Sequence, residues 1–223
     1  MNFLSTIIGL VEIKLLFILC FGIGLWLMTN NVWSFELEKD KQVKAGTLLL
    51  SEPFMLDENF SRTVVVVCEH DKQNGSMGLI INKPVKLRLS EILPGFPDFN
   101  GKIFLGGPVG TDTMQFLHRL GNKIEGSVEL ADGLFWGGNF EQIKLLIENN
   151  SISTDDIAFY IGYSGWGADD QLQKELEENS WIISDVKADY VFDFRESIWR
   201  DVLKEMGGVY EVMAGYPENP ILN

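Results

Sequence analysis

The sequence predicts an α+β fold, and three observations predict it. Strand-like segments alternate with single amphipathic helices rather than with regular βαβ units. Several of those segments are joined by short, hairpin-like links. Three to four apolar stripes of helical period are spread between residues 87 and 206. The expected layout is a hydrophobic leader at 1–34, a charged linker at 35–45 and one folded domain at 46–223.

The leader is apolar from residue 3 to 28 but is broken by Glu12 and Lys14, which leaves Leu15–Met28 uninterrupted. A membrane span needs about 20 residues. Three readings stay open. One is a single N-terminal anchor, with Lys39, Lys41 and Lys44 keeping the acidic domain in the cytoplasm. Another is a signal peptide ending near Val32 and Ser34. The third is translation starting at Met28, which would leave an ordinary cytoplasmic chain.

The domain opens with a strand, Gly46 to Phe54, ended by Pro53. Thr63 to His70 follows, with four successive valines whose branched Cβ atoms favour an extended backbone. Apolar residues on both faces predict a strand buried on both sides. Strict alternation would point Val64, Val66, Cys68 and His70 one way and Val65, Val67 and Glu69 the other. Asn74-Gly75 supplies a hairpin turn, and Met77 to Asn82 returns before Pro84.

Leu87 to Leu93 reads as a short helix and Lys102 to Leu105 as a short strand. Met114 to Leu120 and Gly126 to Leu130 read as two strands joined around Gly121-Asn122, with Leu134 to Trp136 as a third short segment. Asn139 with Gln142 has the spacing of a capping box, opening a helix to about Asn149. Ile157 to Tyr163 is a strand leading through Ser164-Gly165-Trp166-Gly167 into a helix from about Ala168 to Asn179, with Asp169 and Asp170 in its first turn. Trp181 to Ile183 returns to the sheet. Ser197 to Met206 is the last helix, stopped at Gly207, and Tyr210 to Ala214 reads as the final strand.

Several ordered segments carry a family resemblance: SEPFMLDENFSRTVVVVCEHD, GSMGLIINKP, LGGPV, GYSGWGADDQLQKELEENSWI and a C-terminal MGG. With them the chain resembles the YqgE/AlgH family of bacterial proteins over roughly Gly46 to Asn223, and EGSVELADGLFWGGNFEQIKLLIE looks like its Bacteroidetes-type branch. The resemblance implies a curled, mostly antiparallel, barrel-like sheet with packed helices, and a label of transcriptional regulator. It brings no agreed reaction, cofactor or catalytic set.

Charge bears on that label. The chain carries 32 Asp and Glu against 18 Lys and Arg, a net −14. Nonspecific nucleic-acid affinity comes from basic side chains neutralising phosphates. No basic block and no recognition-helix pattern is present, so direct nucleic-acid binding is not expected. The cysteines are Cys20, in the leader, and Cys68, which offer no disulfide framework and no CxxC pair. Two histidines and one cysteine in the folded part make no zinc set, and no cofactor is expected.

Two pieces of candidate chemistry remain. A thiol beside an imidazolium has a lowered pKa, so Cys68 and His70 on one strand face could form a reactive centre, tuned by Arg62 and Glu69. The plainer reading makes Cys68 a small core hydrophobe and puts His70 at the solvent end of the strand. GYSGW approaches the G-x-S-x-G elbow of hydrolases, but Trp166 replaces the last glycine and no histidine follows the serine. Ser164 and Gly165 with Trp166 could instead rim an anion site at a helix N-terminus, with Arg62 as a further ligand-binding candidate. Trp136, Trp166, Trp181 and Trp199 are expected in the core. The sequence therefore favours a non-enzymatic regulatory or protein-interaction domain with an unnamed protein partner. The alternative is a thiol-based redox sensor or minor enzyme centred on Cys68 and His70.

Overall fold

Among the described residues nine strands form one sheet. The computed structural model describes residues 42–71 and 73–218. The expected leader, and with it the anchor, signal-peptide and Met28 readings, lies outside the described residues. Among those described, no helix is long and apolar enough to cross a membrane. Val43 and Ala45, at the end of the stretch read as linker, already pack against the core.

The strands are β1 (Thr47–Ser51), β2 (Val64–Asp71), β3 (Gly75–Ile80), β4 (Lys102–Leu105), β5 (Val109–His118), β6 (Val128–Ala131), β7 (Leu134–Trp136), β8 (Ile157–Trp166) and β9 (Trp181–Asp185). Their order across the sheet is β6-β7-β5-β8-β3-β2-β1-β9, with β4 added against β8. All pairings are antiparallel except β4 with β8. The sheet curls into a half-barrel. Its inner face gathers residues from every strand into one cluster, from Leu48 and Val66 through Leu79, Phe104 and Leu117 to Leu130, Leu134, Tyr160 and Ile182. Three helices fill that concavity: α4 (Ala188–Phe192), α5 (Ile198–Met206) and α6 (Gly208–Ala214). Helix α5 presents Ile198, Trp199, Val202 and Leu203 inward at helical spacing.

The outer face is covered at two places. Near one end α1 (Leu89–Ile92) and α2 (Phe140–Glu148) pack on Ile103, Phe116, Ile157 and Phe159. Near the other, α3 (Gln171–Glu177) covers Leu49, Val65, Val67 and Ile80. Strand β2 is thus buried on both faces, as its valines predict.

Strand β8 joins the two ends. Its first half pairs with β4 and β5 and its last residues with β3. Between them the chain turns a corner at Gly162, whose φ is +65°. A Cβ there would stand 2.7 Å from the Val109 carbonyl oxygen and 2.8 Å from that of Gly107, so only glycine fits.

The α+β class and the curled sheet stand as expected. Among the described residues the helices number six rather than three to four. Tyr210–Ala214 is not a strand but part of α6, which starts at Gly208 and packs Ala214 into the inner core. Asp169 and Asp170 precede α3 in left-handed conformation rather than forming its first turn. Strand β6 pairs with β7 and not with β5. Gln142 does not reach back to its own cap: its Oε1 accepts from the Glu125 N–H at 2.9 Å, while Asn139 accepts from the N–H groups of Glu141 and Gln142.

Candidate functional site

The expected Cys68–His70 centre is not assembled, and a β-bulge is the reason. Val67 pairs with Gly78 and Glu69 with Met77, so Cys68 is the extra residue. Up to Cys68 the alternation holds, with Val64, Val66 and Cys68 all in the inner cluster. Past the bulge it is reversed. His70 pairs with Ser76, and Ser76 in turn with Trp166 on the outer face. Thiol and imidazole therefore face opposite sides of the sheet.

Each has other company. The His70 ring nitrogen Nδ1 lies 2.7 Å from Ser76 Oγ. Cys68 is 1% exposed, and burial, then the nearby Glu69 charge, pushes its thiol well above the usual range. That is the reverse of an activated nucleophile. Its neighbour Tyr160 is fully buried too, with a hydroxyl that has no hydrogen-bond partner. Burial, then Cys68, raises that phenol well above its ordinary value.

The elbow at GYSGW is likewise absent. Residues 164–166 continue β8 instead of turning into a helix, because they pair with β3. No helix N-terminus meets Ser164, which is fully buried and donates its hydroxyl to the Gly106 carbonyl at 3.1 Å. Gly165 is exposed and pairs with Met77. Trp166 donates its indole N–H to Glu175 Oε2 at 2.8 Å, and Trp181 donates to the same oxygen at the same distance. One carboxylate thus ties two edge-packed indoles, 5.8 Å apart by centroid, to α3.

Arg62 lies at the other end of β2 from His70. Its backbone is left-handed, its guanidinium sits 4.7 Å over the Trp199 ring, and Nη2 donates to the carbonyls of Tyr216 and Pro217. It fastens the C-terminal segment to the core, leaving Nη1 buried and unpaired. Burial, then Arg200, lowers its pKa. The structure brings Trp166 and Ser164 together on one strand, but neither Arg62 nor Cys68 joins them.

A cavity of about 410 Å³ lies elsewhere, at a place sequence reasoning missed. It opens where β7 ends after three residues while β5 runs on. Leu93, Met114, Phe116 and Phe140 line it from the outer core. Gln115, Val128 and Trp136 line its other side, and the backbone of Gly126 and the Gly137-Gly138 pair closes the remainder. Trp136, expected in the core, is only half-buried and donates its indole N–H to Gln115 Oε1 at 3.2 Å. Val128 is 42% exposed and marks the mouth. No lining side chain is charged. The signal in the sequence was an aromatic residue at a strand end followed by two glycines and a helix cap, Trp136 to Asn139.

The neighbouring His118 is fully buried and stacked on Phe135. Its Nε2 lies 3.1 Å from the Gly137 carbonyl and its Nδ1 accepts from the Leu120 N–H at 3.2 Å. Both nitrogens are therefore used by a neutral ring, and burial lowers its pKa. Among the described residues no group of His, Cys, Asp and Glu is placed to hold a metal ion.

Comparison with known proteins bears on the family and the fold. The family described as AlgH-like (DUF179) matches residues 48–211. A UPF0301 protein of Chlorobium limicola is 43% identical over 187 residues, 83% of this chain and 98% of that protein. Another, of Cytophaga hutchinsonii, is 43% identical over 180 residues, 80% of this chain and 98% of its own. The solution structure of the AlgH protein from Pseudomonas aeruginosa superposes with a TM-score of 0.62 at 28% identity, covering 79% of this chain and 98% of that one. A crystal structure of a Corynebacterium diphtheriae protein has the same fold, with a TM-score of 0.63 at 18% identity over 79% and 94% of the two chains.

Proposed function

The chain belongs to the AlgH-like (DUF179) family, and from that premise we propose that it works as a protein-interaction domain with a regulatory role. Its docking site is the cavity beside Trp136. One observation carries this reading: a solvent-reachable apolar cavity of about 410 Å³, lined by aromatic and aliphatic side chains with Trp136 and Gln115 as its polar handle. Such a lining holds a ligand but offers no nucleophile, base or charge with which to transform it. The net charge of −14 directs regulation through contact with a protein and away from direct contact with DNA.

The test is a capture experiment with extracts of the source cells. Val128→Trp blocks the mouth and Cys68→Ala removes the buried thiol. The wild type and Cys68→Ala retain the same partner, and Val128→Trp loses it while keeping the native circular dichroism spectrum. Loss with Cys68→Ala and retention with Val128→Trp would move the function to the thiol.

A further inference from the structure

Among the described residues two buried side-chain polar atoms lack a partner, Tyr160 Oη and Arg62 Nη1, and only the second belongs to a charged group. A buried donor on a cation is costly to leave unpaired, so it calls for an explanation. Further costs gather around it. The Arg62 backbone is left-handed, with φ at +51°. A second guanidinium, that of Arg200, is near enough to act on the first, and like charges repel. The acceptors that hold the two are neutral. Arg62 Nη2 donates to the carbonyls of Tyr216 and Pro217 at 2.8 and 2.6 Å, and Arg200 Nη1 donates to that of Ala214 at 3.2 Å. The carboxylate that acts on both arginines is Glu218. It stands 3.8 Å from Arg200 Nη2, beyond hydrogen-bond distance, on a side chain 76% exposed.

The arginines are also held in place. The Trp199 ring lies 4.7 Å from the Arg62 guanidinium, and its own indole N–H is fixed on the Ser51 carbonyl at 3.0 Å. Two positioned guanidiniums, one with an unused nitrogen, beside a single loosely placed monoanion suit a doubly charged oxyanion. We propose that Arg62 and Arg200 bind a phosphate group, as the free ion or as the phosphoryl group of a small monoester, which displaces the Glu218 side chain. A phosphoryl group carries about 1.5 to 2 negative charges and three strong acceptor oxygens. It can therefore neutralise both cations and give Arg62 Nη1 the acceptor it lacks, which a single carboxylate does not. The site shares no residue with the cavity beside Trp136, and it stands or falls independently of the docking reading.

The experiment is a titration of the ¹⁵N-labelled full chain with inorganic phosphate, phenyl phosphate and acetate, each against sodium chloride of equal ionic strength. Phosphate shifts the side-chain Nε–Hε signals of Arg62 and Arg200 and the amides of Tyr216 and Glu218 to saturation, and chloride leaves them in place. Arg200→Gln weakens phosphate about tenfold or more, the loss of one charge-assisted hydrogen bond. Glu218→Gln removes the competing carboxylate and tightens phosphate about two- to fivefold, the range of an exposed ion pair. Glu177→Gln, an exposed position on α3, removes the same charge and changes nothing. Binding of phenyl phosphate alongside the free ion supports a site open to monoesters, and its exclusion supports one for the free ion. Acetate bound as tightly as phosphate overturns the phosphate assignment. Shifts confined to other residues, no shifts, or a Glu218→Gln chain that binds phosphate no better than the wild type overturns the site, and this last readout does not depend on how Arg200→Gln folds.

Discussion

The two ends of the outer face differ in how they are closed. Under α3, the Trp166 and Trp181 rings meet edge to face, and both indoles donate to one oxygen of Glu175. The other oxygen of that carboxylate accepts from Gln171 Nε2, whose Oε1 in turn accepts from the Gly167 N–H. Both tryptophans are 5% exposed. Under α1 and α2 the aromatic residues are more numerous, with Phe96, Phe116, Phe140 and Phe159 in mutual contact, yet the sheet beside them stops short and a cavity remains. The difference lies in polar closure and not in apolar content. One patch has a charged group that fixes two large rings, whereas the cavity beside the other is bordered by a tryptophan of the inner side, Trp136, held only by a neutral amide.

The largest expected effect follows from that contrast. Trp181→Ala should cost about 3–5 kcal/mol of stability, the range for emptying a buried aromatic site. Val128→Ala at the open end should cost less than about 0.5 kcal/mol, as surface changes do. Urea unfolding monitored by circular dichroism measures both, and comparable losses would break the distinction. Next in size is Glu175→Ala, which leaves two buried indole donors without an acceptor and should cost about 2–3 kcal/mol. Glu175→Gln keeps an oxygen acceptor and should cost less than half of that; a negligible cost for Glu175→Ala would show that the carboxylate does not hold the rings.

The smallest effect sharpens the comparison from the open side. His118 is neutral in the fold because burial lowers its pKa, whereas in the unfolded chain it titrates near the ordinary value of about 6.5. As pH falls through the unfolded value, the unfolded state takes up the proton first. Stability contributed here is therefore complete above that pH and is lost on acidification towards the lower folded value, at up to about 1.4 kcal/mol per pH unit. Urea midpoints compared at pH 7 and pH 5 should show a drop that is smaller in His118→Phe. An unchanged drop in that variant would place the titration elsewhere.

Much of this was legible from residue types. The four valines of β2, the Asn74-Gly75 turn and the Asn139 cap each act through local sterics or hydrogen bonds, and each forms where its pattern lies. What escaped depends on pairing between distant segments. Alternation along β2 predicts the positions of Val64, Val66 and Cys68 but not that of His70, because a bulge is decided jointly with β3. GYSGW reads as a turn on its glycines, yet β3 captures it as strand. Tyr210–Ala214 has strand composition and becomes helix against the inner core. The cavity is the clearest case: it exists because β7 is shorter than β5, a mismatch that no single segment carries.

The corner at Gly162 has a last consequence. Upstream of it, β8 completes the half of the sheet that holds the cavity; downstream, it supplies Trp166 to the half that holds the paired indoles. A chain cut at that glycine would leave each fragment short of a central strand, so neither could be expressed, exchanged or inherited as a module in its own right.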